Sequence, residues 1–237
     1  MNIELESGIF IEECKSRFLC KVFIKEQEEL CYVSSSLKLA PFIDLRGKEV
    51  LLTKNKGTGK RTKYTLYAIK TKESQILLNL SFVNKLLFTE LSKLEGPYLG
   101  SSQIFSEKKI SENLKSDFYI EGEKKIIVEA KGIISLNEVA LFPAMKVERA
   151  VVQLKEFQKL LKKGFSVHYC LVLMNPAIKS IKLDKSKVDF YKGYRNCIKK
   201  GMQIFVYEVV GQKDNIFLRR NPIIEDSLLF DNEKRNK

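Results

Sequence analysis

The sequence predicts an α+β or α/β chain in two parts, a small N-terminal β-barrel and a larger mixed sheet covered by helices. Three observations carry this. Over residues 1–80, short apolar and β-branched runs alternate with Gly, Ser and Asn turn signals, the pattern of a small barrel. Two further runs, 115–120 and 126–131, flank a polar turn and read as a hairpin. Beyond them, helical periodicity and β-branched runs take turns, which builds a sheet with helices on its faces. The 237 residues suffice for one large domain or two small ones with a proper core.

In the first part the predicted strands are 9–13, 17–25, 30–34, 49–53, 63–71 and 75–79. The turn signals between them include Ser34-Ser35-Ser36, Arg46-Gly47-Lys48 and Lys56-Gly57-Thr58-Gly59. The connection from Lys54 to Tyr64 holds Lys54, Lys56, Lys60, Arg61 and Lys63. On an OB-like barrel such a loop suits a flexible phosphate backbone, with Tyr64 available for stacking. It also reads as a solvated hairpin tip, and it lacks the GxxxxGK[ST] phosphate-binding pattern. Residues 81–94 then read as an amphipathic helix opened by a Ser81 cap and stopped by Glu95-Gly96-Pro97. A polar, lysine-rich stretch, 100–113, leads on to the hairpin.

The hairpin carries the chemistry. Strand side chains alternate faces, so Glu129 and Lys131 point the same way. If the turn 121–125 closes an antiparallel pair, Ile120 faces Ile126 and Asp117 lies across from Glu129. Two carboxylates and one amine then share a patch at the hairpin's end. A hard divalent cation, Mg²⁺ or Mn²⁺, takes oxygen ligands and keeps several waters. Asp117, Glu129 and the Ala130 carbonyl would hold it beside a substrate phosphate. The ion would polarise the phosphate and activate a water, while Lys131 orients that water or offsets the developing charge. An Asp, a spacer and Glu-x-Lys resemble the PD-(D/E)xK nuclease signature. Taken alone, the same residues read as a solvated ion pair on a strand.

After the hairpin, 146–163 reads as a helix with Val147, Ala150, Val151, Leu154 and Leu161 on its apolar stripe. Arg149, Gln153 and Glu156 lie on the other flank. A strand at 166–174, a helix at 184–200 and a strand at 202–210 follow, with Gly164 and Gly201 as helix stops. The order α-β-β-α-β-α-β suits a restriction-endonuclease-like core over residues 81–230, with a frayed tail at 231–237. His168, the one histidine, sits inside an apolar strand and is expected in the core. A histidine metal cluster or Ser-His triad therefore has little support.

Lys and Arg exceed Asp and Glu by 13, which points to a polyanionic partner, DNA or RNA. No basic amphipathic helix with a clean apolar face stands at a terminus, and no apolar run reaches the length of a membrane span. The first ten residues do not read as a signal peptide. Cys14, Cys20, Cys31, Cys170 and Cys197 form no CxxC and are expected as reduced, buried thiols of a cytoplasmic protein.

The chain resembles the sugar fermentation stimulation protein family, which pairs an OB-like domain with a PD-(D/E)xK nuclease-like domain. The likeness begins at Lys15-Ser16-Arg17-Phe18-Leu19 and continues through Gly59–Leu66, Asn84 and Glu90, Ser116-Asp117-Phe118, Val128-Glu129-Ala130-Lys131, Phe142-Pro143 and Glu148-Arg149. It implies nucleic-acid binding with metal-dependent phosphodiester hydrolysis. Asp117, Glu129 and Lys131 carry over as the catalytic set, Glu90 as a further acid for the metal, and Arg17 and Arg149 as phosphate contacts. The chain departs from the family at Ser34–Ser36, at Ala144 where an acid stands, and at Val152 and Gln153 where a lysine and a histidine stand. Gln153 keeps hydrogen-bonding capacity and joins the catalytic set on that ground. The alternative these departures leave open is a DNA-binding regulator without catalysis. A protein-binding scaffold has no specific support, and a monomer and a homodimer are both open.

Overall fold

The computed structural model describes residues 4–16, 18–34, 39–40, 43–55, 61–71, 75–144, 147–212 and 215–229. Five strands open the chain: β1 (Leu5–Glu13), β2 (Leu19–Ile24), β3 (Gln27–Val33), β4 (Glu49–Lys54) and β5 (Tyr64–Lys70). They hydrogen-bond in the order β3-β2-β1-β4-β5, and a parallel pairing of β3 with β5 closes the barrel. Alternation puts Cys20, Val22, Ile24, Cys31 and Val33 inside, against Val50, Leu52 and Leu66. A Cβ on Gly8 of β1 would lie 2.7 Å from Val22 and 2.8 Å from the Phe23 carbonyl oxygen, so the crossing of β1 over β2 needs glycine. A short β6 (Gln75–Leu77) extends β5. The Leu77 N–H donates to the Met174 carbonyl at 3.0 Å, tying the barrel to the second half of the chain.

Helix α1 (Ser81–Leu91) ends three residues short of the expected 94. Ser81 does not cap it. Asn79 Oδ1 accepts both the Ser81 N–H at 3.1 Å and the Ser81 hydroxyl at 2.6 Å. The expected polar connection 100–113 contains two strands, β7 (Gln103–Ser106) and β8 (Lys109–Ser111). Both are short and half-exposed, so their apolar signal is weak. The expected strand 115–120 is broken into β9 (Leu114–Lys115) and β10 (Phe118–Glu121), with Ser116 and Asp117 between them. After these come β11 (Ile126–Ile133), β12 (Val139–Phe142), α2 (Glu148–Lys162), β13 (Ser166–Leu173), β14 (Ser180–Leu183), α3 (Val188–Lys199), β15 (Gln203–Gln212), β16 (Asn215–Arg220) and α4 (Pro222–Leu229).

The second sheet runs β16-β15-β13-β11-β10-β7. Its centre, β11, β13 and β15, is parallel and its outer pairings are antiparallel. Helices cover both faces of that centre, so β13 is buried without a break from Val167 to Leu173. On one face α2 and α3 pack Leu154, Phe157, Phe190 and Tyr194 against Ile127, Tyr169 and Leu171. On the other, α1 packs Val83, Leu87 and Leu91 against Val128, Cys170 and Val172. Gly132 lets α1 approach: a Cβ there would meet Leu80 at 2.6 Å and Val83 at 3.1 Å.

The helical stripe of α2 differs from the expected one. Leu154 is buried as expected, but so are Gln153, Glu156, Phe157 and Leu160, because α2 is enclosed by the sheet, α3 and the β8 segment. Helix α3 begins at Val188 rather than 184: residues 180–183 pair in parallel with β12, and Asp184 Oδ1 accepts the Ser186 N–H and hydroxyl in a turn. His168 lies in the core as expected, its Nδ1 3.1 Å from the Tyr98 hydroxyl. Cys20, Cys31, Cys170 and Cys197 are buried free thiols and Cys14 is partly buried. Among the described residues no helix is long and apolar enough to cross a membrane. The tail 231–237 lies outside the described residues.

Candidate metal and phosphodiester site

The hairpin pairs as its sequence suggests, Ile120 with Ile126, Tyr119 with Ile127 and Phe118 with Val128. There the ladder stops. On the other edge of β10 the Glu107 N–H donates to the Asp117 carbonyl at 2.8 Å, continuing the pairing with β7. The Asp117 side chain takes over the abandoned position, its Oδ2 accepting the Ala130 N–H at 2.8 Å. A carboxylate thus takes the place of a backbone carbonyl where β10 and β11 separate. Its other oxygen, Oδ1, accepts the Nδ2–H of Asn84 from α1 at 3.2 Å.

Glu129 and Lys131 project from β11 toward α2. Lys131 Nζ donates to Glu129 Oε1 and lies 3.4 Å from Oε1 of Gln153. Lys131 is about one-third solvent-accessible, whereas Glu129 is only 3% exposed. Among the described residues the second oxygen of Glu129, Oε2, is buried and has no hydrogen-bond partner, although the Gln153 side chain is near enough to favour the charged carboxyl. Burial raises the Glu129 carboxyl to about 6; the Lys131 charge pulls it down and the Asp117 charge pushes it up.

Asp117, Glu129, Lys131 and Gln153 are therefore linked through direct contacts or neighbouring charge, and the Ala130 main chain is bound to Asp117. Glu90 is not brought in. It pairs with Lys93 at 2.6 Å, and its charge bears on Tyr207 of β15, two strands from β11. From α1 it is Asn84 that reaches the acids. Its sequence signals are a polar amide one turn before the apolar Leu87 and Phe88 and its place in the family resemblance, and neither indicates its partner. Arg149 is exposed one turn before Gln153 on α2.

No group of three His, Cys, Asp or Glu side chains that could hold a metal occurs among the described residues. What the site offers is an all-oxygen set, Asp117, Glu129 and main-chain carbonyl, of the kind hard divalent ions accept with waters completing the shell. The partnerless Glu129 oxygen is the observation that fits such an ion: a buried carboxylate oxygen without a donor is costly unless a cation meets it.

On the barrel, Lys54 and Arg61 are exposed, and Lys63 is half-exposed, 3.6 Å from Glu29. Arg17, Lys56 and Lys60 lie outside the described residues. Tyr64 corrects the expectation placed on it. It is 4% exposed, in the barrel interior, because the first residue of β5 points inward; no base can stack on it. The aromatic rings that do face solvent nearby are Phe18 and Tyr32.

Three kinds of comparison bear on the chain. Residues 81–215 match the family model described as "Sugar fermentation stimulation protein RE domain". Sugar fermentation stimulation protein homologues resemble it along most of their length. The one from Desulfitobacterium hafniense (strain Y51) is 27% identical over 218 residues, covering 90% of this chain and 92% of that protein. The one from Methanosphaera stadtmanae is 29% identical over 188 residues, 77% of this chain and 76% of that protein. Among solved structures, the Pyrococcus furiosus SfsA in complex with Ca²⁺ superposes with a TM-score of 0.79 at 21% identity, over 93% of this chain and 96% of the other.

Proposed function

This chain belongs to the sugar fermentation stimulation protein family, and from that premise we propose that it binds nucleic acid and hydrolyses phosphodiester bonds at Asp117 and Glu129 with a divalent metal. One observation carries the reading: among the described residues Glu129 is buried with one carboxylate oxygen that no hydrogen bond satisfies, and the charge of Asp117 bears on it. A purely structural glutamate at that depth would have both oxygens bonded. The net charge of +13 supports a polyanionic substrate. The Ca²⁺ named with the Pyrococcus furiosus relative supports a hard divalent ion here, Mg²⁺ or Mn²⁺ being the active one.

Asp117 and Glu129 would hold the ion, which when bound would polarise a phosphate oxygen and acidify a water. Asn84 and the Ala130 N–H fix both oxygens of Asp117, so that the carboxylate does not have to be ordered on binding. Gln153 and Glu129 restrain Lys131, whose amine is accessible from solvent and can hold the attacking water or meet the charge that builds on the phosphate oxygens. Arg149 and the exposed lysines would take the flanking phosphates.

The test is cleavage of single- and double-stranded DNA and RNA with Mg²⁺ or Mn²⁺. Glu129→Gln and Lys131→Ala are each expected to lower the rate by about 100-fold or more. Cleavage that survives in both variants would place the activity elsewhere. A second reading, binding without cleavage, is favoured by the presence of only two acids at the site among the described residues, Glu90 being turned away. It predicts binding that is indifferent to EDTA and to Glu129→Gln.

A further inference from the structure

The three parallel strands at the centre of the second sheet begin at one rim, and a pair of lysines stands shortly before each. Lys124 and Lys125 precede Ile126 of β11. Lys162 and Lys163 close α2 ahead of Ser166 of β13, and Lys199 and Lys200 close α3 ahead of Gln203 of β15. The register sets these starts side by side, Ile126 beside Ser166 and His168 beside Gln203. Neighbouring strands lie about 4.8 Å apart, so the three starts span roughly 10 Å. The Ser166 N–H donates to the Lys125 carbonyl at 3.0 Å, and the Lys125 amine lies 5.8 Å from the centre of the Phe165 ring. The first pair is thereby joined to the turn that follows the second.

All six lysines are exposed, and among the described residues none is held in an ion pair. The acids beside them are few. Glu121 ends β10 and Glu123 lies in the hairpin turn. Glu156 of α2 is taken by Lys159 at 2.6 Å and by the Ser111 hydroxyl at 3.0 Å, and the Lys163 charge bears on it as well. One lysine in the last turn offsets the negative end of a helix dipole. Two at each helix end, and a third pair with no helix behind it, exceed that need. Among the described residues no large apolar side chain is exposed on these segments. A membrane-binding surface adds apolar groups that enter the bilayer, and a protein interface has an apolar centre. A phosphate backbone asks for charge alone. No ring stands open for a base to stack on, so the denser charge of a duplex is favoured over a single strand. Lys163 is ten residues along α2 from Gln153, about 15 Å. That is less than half of the roughly 34 Å turn of a duplex, so one seated on the rim is long enough to reach the Asp117–Glu129 site.

We infer that this lysine rim is a docking surface for the phosphate backbone of duplex nucleic acid, without sequence preference. The inference rests on the reading that the partner is nucleic acid, states where its backbone lies, and is independent of whether Asp117 and Glu129 cut it.

The experiment uses the full chain carrying Glu129→Gln, so that no cleavage intervenes. Binding of a fluorescein-labelled DNA duplex of about two helical turns is followed by fluorescence anisotropy over a series of KCl concentrations. Three double variants are made: Lys124→Gln with Lys125→Gln, Lys162→Gln with Lys163→Gln, and Lys199→Gln with Lys200→Gln. Each should lower the slope of log affinity against log salt by about 2 and weaken binding at low salt about tenfold. Lys25→Gln with Lys70→Gln removes the same charge from exposed sites on the barrel and should keep the parent's slope. The side chains changed are all exposed, so melting temperatures should stay close to the parent's. If fewer than two of the rim variants lower the slope, or if the barrel variant lowers it as much, the rim is not the docking surface, whatever the cleavage assay gives. A single strand of equal length that binds more tightly than the duplex also overturns the inference. Phosphatidylserine vesicles bound by the parent and released by the rim variants, with duplex affinity unchanged, overturn it in favour of an anionic membrane. A parent that binds no nucleic acid at the lowest salt removes the nucleic-acid reading itself together with this one.

Discussion

Two buried glutamates of the second half of the chain make opposite arrangements. Glu225, on α4, is 4% exposed and fully bonded: Arg220 clamps it with Nε and Nη2 at 2.9 and 2.8 Å, and the Val206 N–H reaches it at 2.9 Å. Glu129 is as deeply buried, shares one oxygen with Lys131 and leaves the other alone. The same side chain at the same depth is a staple in one place and an unmet charge in the other. His168, a strand away from Glu129, sides with Glu225: it is buried, neutral and bonded to Tyr98. Full satisfaction marks polar groups that hold the fold. Incomplete satisfaction at Glu129 is what the proposed metal site would account for.

The sharpest way to break the comparison is to remove each glutamate in turn. Glu225→Ala strands a guanidinium that is half-exposed and an amide that is not, and should cost about 2–3 kcal/mol in urea unfolding. Acid should act next. Burial lowers His168 from 6.5 to about 4, so the folded state resists a proton the unfolded chain accepts. Stability is complete above pH 6.5 and falls by up to roughly 1.4 kcal/mol per unit as pH drops toward 4. In His168→Gln that part of the acid slope should vanish.

Glu129→Gln should do the reverse of Glu225→Ala. The folded carboxyl is raised from 4.5 to about 6, so its stabilising contribution is present below 4.5 and is lost as pH rises through 6. The amide variant should match the parent at pH 4 and exceed it by about 1–2 kcal/mol at pH 8. Mn²⁺ should raise the melting temperature of the parent and leave that of Glu129→Gln in place. If the variant proves less stable than the parent at pH 8, Glu129 belongs with Glu225 as a structural group. The smallest effect is expected at Asn84: Asn84→Ala should weaken Mn²⁺ about tenfold by calorimetry, with little change in melting, since only the orientation of Asp117 is loosened.

Much of the molecule is legible in local patterns. The barrel strands obey the alternation of Cys20, Val22 and Ile24 with exposed neighbours. The hairpin register comes from the turn length and the apolar runs on either side, which is why Ile120 meets Ile126 as expected, whereas the pairing ends at Phe118 with Val128 and does not extend to Asp117 and Glu129. Where local patterns mislead, the deciding contacts are distant in sequence. Residues 215–229 add an edge strand and a helix whose apolar faces make sense only against β15. The basic neighbours of Tyr64 point it to solvent, yet strand phase turns it inward. Periodicity sets Gln153 and Glu156 on the open flank of α2, and enclosure by three neighbours buries them.

Glu90 and Asn84 stand on the same helix six residues apart, and nothing in the helix itself says which of them reaches Asp117. The chain alone determined the residue types and their phase: which positions alternate, which acids stand at the ends of strands, and how much positive charge surrounds them. The packing of α1 across Gly132 and of α2 over β11 decided which polar groups meet and which carboxylate oxygen is left without a donor. The reason is physical: periodicity is set by backbone geometry over a few residues, whereas burial and hydrogen-bond satisfaction are properties of surfaces brought together from far apart in the sequence.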